Sequence, residues 1–443
     1  MPALPHSPTP EHRYRGLQPA LRKSWRPAAT LDPKPHFCHV KVACGGCKYV
    51  NTDYATGLGL KHEAELRVLA AAGLTRGLKT LPPVTSPRPF EYRTLFKLAV
   101  RAGVHSRFAI GLFQPGTHLV GAPMDNCPVH ASSLTQLLRD LRAELEISAL
   151  TPYAESFARD EIPAEQRGDL RYLVARAAHQ TNEIQLVFVV THLSPDTKVA
   201  LKRITAKLRE RGHKLASVHA NINTTNGNAI FGDTTEKLAG TSELRERMNG
   251  LDFDVAPTSF FQINPWQASQ LYHRVTEFAQ PRKAVSGKAQ VAWDLYSGNG
   301  QIALQLARLG WRVMAVEENP EAAASARHNA SRNGLSEQIH VHAARVEDAE
   351  TDIPSWANSP DLIVANPSRR GLHESARSLV QHTLRLNDRA SFIYVSCAVE
   401  TMARDLAALV AAGNRVRHLE AFDMFAQTDQ LEWLAVVTPD AKA

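Results

Sequence analysis

Hydrophobic and polar residues alternate in two different ways along this chain of 443 residues. Between residues 88 and 250, apolar runs of strand length, LFKLAVRAG and IQLVFVVTHL, are interspersed with amphipathic stretches, SLTQLLRDLRAELE and VALKRITAKLRERG. After residue 251, short apolar runs and amphipathic helical patterns follow one another regularly, which is typical of a doubly wound sheet with parallel strands. The pattern predicts an α+β region followed by an α/β domain.

The first 36 residues differ from both regions. They contain eight prolines, and six basic residues against two acidic ones, which is the composition of a disordered basic segment. Such a segment either contacts RNA without specificity or is a solvated arm. We therefore divide the chain into a tail (1–36), a central domain (37–250) and a C-terminal domain (251–443).

The overall charge indicates the class of partner. The formal net charge is +7 and the isoelectric point is near 9.2, which fits a phosphate-rich partner such as a nucleic acid. No apolar run approaches the roughly 18 residues of a membrane span, and the N-terminus lacks the apolar core of a secretory signal. These features predict a cytoplasmic protein with no membrane contact.

Four of the five cysteines form a suggestive set. Cys38, Cys44 and Cys47 follow a C-x5-C-x2-C pattern, and Cys127 lies far downstream. Three clustered thiolates with a distant fourth are typical of iron–sulfur clusters, whereas structural zinc more often uses two short cysteine pairs. The spacing favours iron–sulfur but leaves zinc and unrelated buried thiols open. Without a secretory signal, a disulfide scaffold is disfavoured, and a metal site implies a reducing compartment.

The C-terminal domain begins its alternating pattern with AWDLYSGNGQIALQLARLG. An apolar strand ends near Asp294, a turn carries Gly298 and Gly300, and a helix is predicted from about Gln301. Glu317 ends the next predicted strand about 20 residues later, where an acid can accept hydrogen bonds from ribose hydroxyls. These features alone leave NAD and S-adenosylmethionine open.

Two later strand ends add chemistry. DLIVANPSRRG ends a strand in Asn366-Pro367, a pair found in many methyltransferases, and the arginines that follow suit phosphate or a carbonyl-rich base such as uracil. FIYVSCAVETMARDL (392–406) places Cys397 between an apolar strand and a helical pattern. Cys397 is either a packed core thiol or a nucleophile.

Taken together, these residues resemble the RNA (uracil-5-)-methyltransferases, most closely the iron–sulfur branch that modifies bacterial 23S ribosomal RNA. The match extends over about residues 37–440 and is carried by SFFQINPWQASQLY (259–272), DLYSGNGQIAL (294–304), NPSRRG (366–371) with IYVSC (393–397), and FDMFAQTDQLE (422–432).

The resemblance implies a Rossmann-like class I methyltransferase domain and an α+β central domain that carries a [4Fe–4S] cluster. It implies that Cys397 is the nucleophile and Glu432 the general base. The implied S-adenosylmethionine residues are Gln262, Tyr296, Glu317 and Asn366, and the implied cluster ligands are Cys38, Cys44, Cys47 and Cys127. We expect a monomer that acts on 23S rRNA, without the TRAM domain of some relatives, because only the tail precedes Cys38.

As the implied nucleophile, Cys397 must react as a thiolate. A thiol has an ordinary pKa of about 8.5, so Cys397 needs local help to ionise, from nearby dipoles or from a cation such as Arg370.

Several positions depart from the family pattern. They are Ser297, Ser368, Ala398, Ala426 and Gln430, where relatives more often have Cys, Pro, Asn, Pro and His. Because Ala398 and Gln430 change the polar lining near the reacting base, two alternatives stay open. One is 5-methyluridine formation in tRNA, and the other is an RNA-binding paralogue with altered catalysis.

Overall fold

The computed structural model describes residues 37–154, 167–227, 229–282, 289–351 and 353–440. The predicted tail over residues 1–36 lies outside the described residues. None of the helices in the described part of the chain combines the length and the apolar character that crossing a lipid bilayer demands.

In the described part of the chain, two helices precede the first sheet. Helix α1 spans Lys41–Cys44, and helix α2 spans Tyr54–Ala71. Asp53 is the N-cap of α2, since its side chain accepts a hydrogen bond from the Thr56 amide at 2.8 Å. The sequence pattern did not mark α2, because its buried positions include a lysine and a glycine among the apolar residues.

The central region contains a seven-stranded mixed sheet with strand order β3-β2-β1-β4-β5-β6-β7. Every strand pair in it is antiparallel except β5–β6. Helices α3 and α4 contact each other and pack against this sheet. The strands are Leu95–Ala102, Phe108–Phe113, Val120–Pro123, Leu170–Ala177, Ile184–Val190, Leu215–Ile222 and Thr234–Gly240, and α3 and α4 are Ser132–Glu146 and Pro195–Glu210. The predicted α+β character is confirmed.

A two-stranded hairpin follows this sheet. Its strands are β8 (Leu244–Met248) and β9 (Leu251–Val255). Its second strand packs against a helix of the C-terminal domain through the Asp254 amide, which donates to Asn329 Oδ1 at 2.9 Å.

The C-terminal domain is a second seven-stranded sheet, with order β12-β11-β10-β13-β14-β16-β15. Strands β10 to β14 run parallel, and β16 inserts antiparallel between β14 and β15. The strands are Val291–Leu295, Arg312–Val316, Ile339–His342, Leu362–Ala365, Ser391–Ser396, Asn414–Phe422 and Glu432–Pro439. The helices α5 to α9 are Pro265–Phe278, Gln301–Arg308, Pro320–Arg332, Glu374–Leu386 and Val399–Ala411. This is the predicted Rossmann-like class I methyltransferase fold.

The strand order determines where a ligand can bind. The chain runs outward from β10 to β12 on one side and then returns to β13 on the other side of β10. Open α/β sheets bind ligands outside the carboxyl ends of the strands at such a reversal. The turns after β10, β11 and β13 therefore meet at one edge of the sheet.

The segment before the first sheet is attached to the C-terminal sheet. The Val84 amide donates to Ala421 O at 2.8 Å, and the Asp423 amide donates to Val84 O at 2.9 Å. Residues that lie early in the predicted central domain therefore contact the last strands of the chain, and the boundary at residue 250 stays a prediction.

Candidate active site

The turn after β10 has an unusual backbone. Tyr296 has a φ of 60°, a left-handed conformation that L-residues other than glycine adopt at a cost. Gly298 and Gly300 also have positive φ values, of 56° and 85°. Helix α6 then begins at Gln301, as predicted. Backbone outliers of this kind concentrate at ligand sites, where the surrounding structure enforces them.

Glu317 directly follows β11 and supports this turn. Its Oε2 accepts a hydrogen bond from the Gly298 amide at 2.8 Å, and its Oε1 accepts one from the Asn319 amide at 2.9 Å. A carboxylate oxygen has further lone pairs, so both oxygens can still accept hydrogen bonds from a ligand. The predicted ribose acid therefore lies against the glycine turn.

Several buried polar atoms around the turn have no hydrogen-bond partner among the described residues. They are Asp294 Oδ1, Ser297 Oγ, Asn299 Nδ2 and Gln301 Nε2. Burial raises the pKa of Asp294 to about 8, although its Oδ2 accepts a hydrogen bond from the Ala303 amide at 2.8 Å. Buried polar groups are nearly always satisfied in native proteins, so this group fits a polar ligand such as S-adenosylmethionine.

Gln262 is connected to the same turn by a chain of side chains. Tyr272 on α5 donates to Gln301 Oε1 at 3.0 Å and is hydrogen-bonded to Gln262. Asn366 follows β13, the neighbour of β10, and its amide lies 3.4 Å from Leu295 O.

The Tyr296 hydroxyl, on the other side of the turn, accepts a hydrogen bond from the His373 amide at 3.2 Å. The structure thus brings the four predicted cofactor residues to one edge of the sheet. Ser297, Asn299 and Gln301 are additional candidates that sequence reasoning did not select, although they lie within the glycine-rich segment.

Cys397 and Glu432 come together through strand pairing. Strands β14 and β16 are antiparallel, with Ser396 opposite Trp433, so the residues that adjoin this pair, Cys397 and Glu432, lie side by side. They are 35 positions apart in the sequence. Both side chains are at the carboxyl end of β14, the same edge that carries the predicted cofactor residues.

The Cys397 thiol is partly buried and electrostatically coupled to its surroundings. Burial and, to a smaller extent, the charge of Glu432 raise its pKa to about 11, while the charge of Arg369 and a hydrogen bond from its side chain oppose the rise. Arg369 also donates to Gln430 Oε1 at 2.7 Å, while the Thr401 hydroxyl donates to Arg369 O at 3.2 Å. The cation beside the thiol is therefore Arg369, and the suggestion of Arg370 was wrong by one residue of the turn.

Glu432 is an unusual buried acid. It is 3% exposed. Burial raises its pKa to about 8, the charge of Glu65 contributes in the same direction, and Arg369 opposes the rise. A carboxyl group with a raised pKa is a stronger base once deprotonated, which suits proton abstraction near neutral pH.

Helix α2 holds the segment that leads to Glu432. Lys61 forms a buried ion pair with Asp423, with 2.5 Å between Nζ and Oδ1. Lys61 also donates to Phe425 O at 3.2 Å and to Gln430 O at 3.1 Å. The Tyr54 hydroxyl donates to Asp423 Oδ2 at 2.6 Å. Sequence reasoning missed these residues, since more than 350 positions separate the partners.

The four predicted metal ligands also lie together. Helix α1 and a tight turn join Cys38, Cys44 and Cys47, and Cys127 lies between β3 and α3. Burial, followed by the charges of the other three thiols, raises the pKa of Cys47 to about 12. The Cys127 sulfur accepts hydrogen bonds from the Val129 and His130 amides, which oppose the rise in its pKa that burial causes. All four are free thiols.

The turn between Cys44 and Cys47 requires its glycines. Gly45 has a φ of 64°, and a Cβ at this residue would lie 2.8 Å from Pro115 Cγ. A Cβ on Gly46 would lie 3.1 Å from the Cys44 sulfur.

Among the residues that the structure describes, Glu243, Asp254 and His328 have possible metal-ligand atoms that lie within 4.8 Å of one another. Arg332 Nη2 lies 2.5 Å from Asp254 Oδ2, and Arg245 also pairs with this carboxylate. These cations already neutralise Asp254, and His328 pairs with both acids, so the group is an ion-pair network.

Comparisons with known proteins agree with this geometry. Residues 251–438 match the family model described as tRNA (uracil-5-)-methyltransferase. An uncharacterized RNA methyltransferase of Gloeobacter violaceus is 31% identical over 400 residues, which cover 90% of this chain and 82% of that protein. Another, from Thermosynechococcus vestitus, is 31% identical over 404 residues, which cover 90% of this chain and 83% of that protein.

A solved structure is similar over most of the chain. The Pyrococcus abyssi tRNA (uracil-54, C5)-methyltransferase, in complex with S-adenosyl-L-homocysteine, has a TM-score of 0.66 and 26% sequence identity. The similarity covers 90% of this chain and 86% of that chain.

Proposed function

Because the chain belongs to the RNA (uracil-5-)-methyltransferase family, we propose that it methylates C5 of a uridine in 23S ribosomal RNA through a transient bond between Cys397 and C6 of the uracil. As a member of this family it is an S-adenosylmethionine-dependent enzyme that acts on RNA. The observation that carries the proposal is the pairing of Cys397 with the buried acid Glu432 at the edge where the glycine turn meets β13.

The cofactor residues of the proposal are Gln262, Tyr296, Glu317 and Asn366. S-adenosylmethionine, when bound, supplies an electrophilic methyl group. Glu317 would accept hydrogen bonds from the ribose hydroxyls, since its Oε2 already contacts the glycine turn and both of its oxygens keep free lone pairs. The unpartnered atoms of Asp294, Ser297, Asn299 and Gln301 would meet the remaining polar groups.

The proposed reaction begins at the sulfur of Cys397. The thiolate adds to C6, and the electron pair of the C5–C6 double bond moves to the C4 carbonyl, giving an enolate in which C5 is nucleophilic. C5 then forms a bond to the methyl carbon as the methyl–sulfonium bond breaks. Glu432 removes the C5 proton, the double bond re-forms, and the thiolate leaves C6.

Arg369 supports the first step. It is exposed, hydrogen-bonds to the Cys397 sulfur, and is oriented by Gln430. A cation beside the sulfur favours the thiolate over the thiol. Gln430 stands where relatives more often have His, and it still provides Arg369 with a polar partner. This contact supports catalysis over a purely RNA-binding role.

The choice of 23S rRNA as the substrate can be tested directly. Mass-spectrometric mapping of 5-methyluridine in rRNA and tRNA, with and without this gene, tests it. We expect one or more 23S positions to lose the methyl group in the deletion strain and to regain it with the parental gene, but not with Cys397→Ser. An unchanged 23S rRNA would contradict the proposal.

The same map tests the alternative substrate. The similar Pyrococcus abyssi enzyme is described as acting on uracil-54 of tRNA. Loss of a tRNA methyl group, with 23S rRNA intact, would support the tRNA alternative and reject the ribosomal one.

We also propose that Cys38, Cys44, Cys47 and Cys127 hold a [4Fe–4S] cluster. The reaction transfers no electrons, so the cluster would organise its loop. The chain just after this loop contacts the segment that leads to Glu432, since the Tyr49 amide donates to Gln427 O at 2.8 Å. Ribosomal RNA as substrate would place this activity in the cytoplasm, and a monomer stays our expectation.

Iron content tests the cluster. Protein purified without oxygen is expected to be brown and to contain about four iron atoms per chain. Cys127→Ser should lose most of this iron, because the serine hydroxyl is a poor ligand for the cluster. Cys397→Ser is the matched control and should keep it, since Cys397 lies outside the set. A colourless protein with stoichiometric zinc would contradict the iron assignment.

A further inference from the structure

Helix α2 brings a second carboxylate to the active site. Glu65 Oε1 accepts a hydrogen bond from the Leu431 amide at 3.0 Å, and its Oε2 accepts one from the Trp433 indole at 2.5 Å. Leu431 and Trp433 are the residues immediately before and after Glu432. A single side chain therefore holds both neighbours of the proposed base.

Other contacts of α2 reinforce this arrangement. Trp433 is 1% exposed, and His62 stacks on it, with 5.7 Å between the ring centroids. One turn before Glu65, Lys61 holds Asp423 and two carbonyl groups of the preceding segment. The base is thus fixed from a helix that is distant in sequence, with Glu65 at the contact nearest to it.

The two carboxyl groups influence each other electrostatically. Burial raises the pKa of Glu65 to about 7, while its hydrogen bonds from Trp433 and Leu431 and the charge of Lys61 oppose the rise. The charge of Glu65 contributes to the raised pKa of Glu432. The other ionisable groups that act on one or both carboxyls are Cys397, Arg369, Tyr272, Lys61 and Glu400.

We propose that Glu65 is a positioning residue of the methylation reaction, which holds the Leu431 amide and the Trp433 indole on either side of Glu432 and places a negative charge close to its carboxyl group. The inference rests on the proposed role of Glu432 as the base. The negative charge makes Glu432 a stronger base for removing the C5 proton, and the two hydrogen bonds aim its carboxyl group at the site beside Cys397.

The sign of the pH effect follows from the charges. Proton removal requires deprotonated Glu432, so its rate rises with pH through the pKa of Glu432. Glu65→Gln keeps an acceptor oxygen but removes the charge, and therefore lowers the pKa of Glu432. The acid limb of the pH–rate profile should move down by about one pH unit, the size of shift that a nearby like charge produces.

The rate at high pH should also change. The weaker base should remove the C5 proton more slowly, by up to about tenfold, a part of the roughly 10²- to 10⁴-fold that a positioned base contributes. Formation of the covalent adduct should be little affected, because it precedes proton removal.

Single-turnover reactions on RNA with tritium at C5 test these expectations. Tritium release reports proton removal, and a denaturing gel reports the protein–RNA adduct, both measured between pH 6 and 9.5. Glu63→Gln on the exposed face of α2 is the matched control, since its side chain is 62% exposed. Equal thermal unfolding of the variants excludes a folding defect.

Two results would overturn the inference. A Glu65→Gln variant with a parental pH profile, whether or not its rate falls, would show that Glu65 only stabilises the fold. An indole N–H resonance of Trp433 that does not respond to Glu65→Gln would show that the contact is absent in solution. Failure of the parental protein to methylate any ribosomal or transfer RNA would instead reject the proposed function.

Discussion

Cys397→Ser is expected to lower RNA methylation by at least about 10⁴-fold, in the range observed when an enzyme loses its nucleophile. A serine hydroxyl is a far weaker acid than a thiol, and Arg369 cannot ionise it at the pH of the reaction. The measurement is the single-turnover rate of methyl transfer to the RNA identified by mapping.

The variant should keep its fold and its cofactor site. The side chains of cysteine and serine have the same shape and a similar size, and Cys397 is only partly buried. Ser391→Ala, at the opposite end of β14, is the matched control and should retain parental activity. If Cys397→Ser methylated RNA at the parental rate, no bond to C6 would be needed, and the mechanism would be wrong.

Glu432→Gln is expected to separate the two halves of the reaction. The amide cannot take the C5 proton, so the methyl group is transferred but the thiolate cannot leave. Turnover should fall by about 10²- to 10⁴-fold, and the protein–RNA adduct should accumulate. A denaturing gel with radiolabelled methyl donor measures both quantities.

The pH dependence of the parental protein provides a second test of this acid. Because burial and Glu65 raise the pKa of Glu432 to about 8, release of methylated RNA should slow as the pH falls below this value. Glu63→Gln again controls for the loss of an acid on an exposed surface. Release at the parental rate from Glu432→Gln would assign the base to another group.

The C-terminal fold was predictable because its signals are local. A strand, a glycine turn and a helix adjoin each other between Val291 and Arg308, and Glu317 follows the next strand. The parallel order of β10 to β14 then follows from the alternation of strands and helices. The insertion of β16 between β14 and β15 left no local signal, although it is what places Glu432 beside Cys397.

The contacts between helix α2 and the segment around Glu432 were not predictable from one sequence. Lys61, Tyr54 and Glu65 act on residues more than 330 positions away, and their helix lacks a clear apolar stripe. In the sequence, Lys61 is expected to lie at the surface, because lysines are seldom buried without a partner and Asp423 is far away along the chain. The sequence likewise did not show that Arg369, rather than Arg370, lies beside the thiol. Only the course of the turn after β13 decides which arginine faces it.

The family resemblance supplied roles that residue patterns left open. From its surroundings in the sequence, Cys397 could be either a core thiol or a nucleophile. The structure adds that the sulfur is partly exposed, contacts Arg369 and lies beside a buried acid. Partial exposure and a neighbouring cation are features of a reactive cysteine, whereas the acid, whose charge raises the pKa of the thiol, is placed to act as the base. These contacts were visible only once distant segments had been brought together.

The central claim is a transient bond between one sulfur and a pyrimidine ring. Substrate RNA with 5-fluorouridine at the target position tests it most directly, because fluorine at C5 cannot be removed as a proton. We predict that, with S-adenosylmethionine present, mass spectrometry finds the methylated nucleotide attached to the peptide that contains Cys397. An RNA that the enzyme methylates but that forms no adduct, or forms one at another residue, would contradict the account.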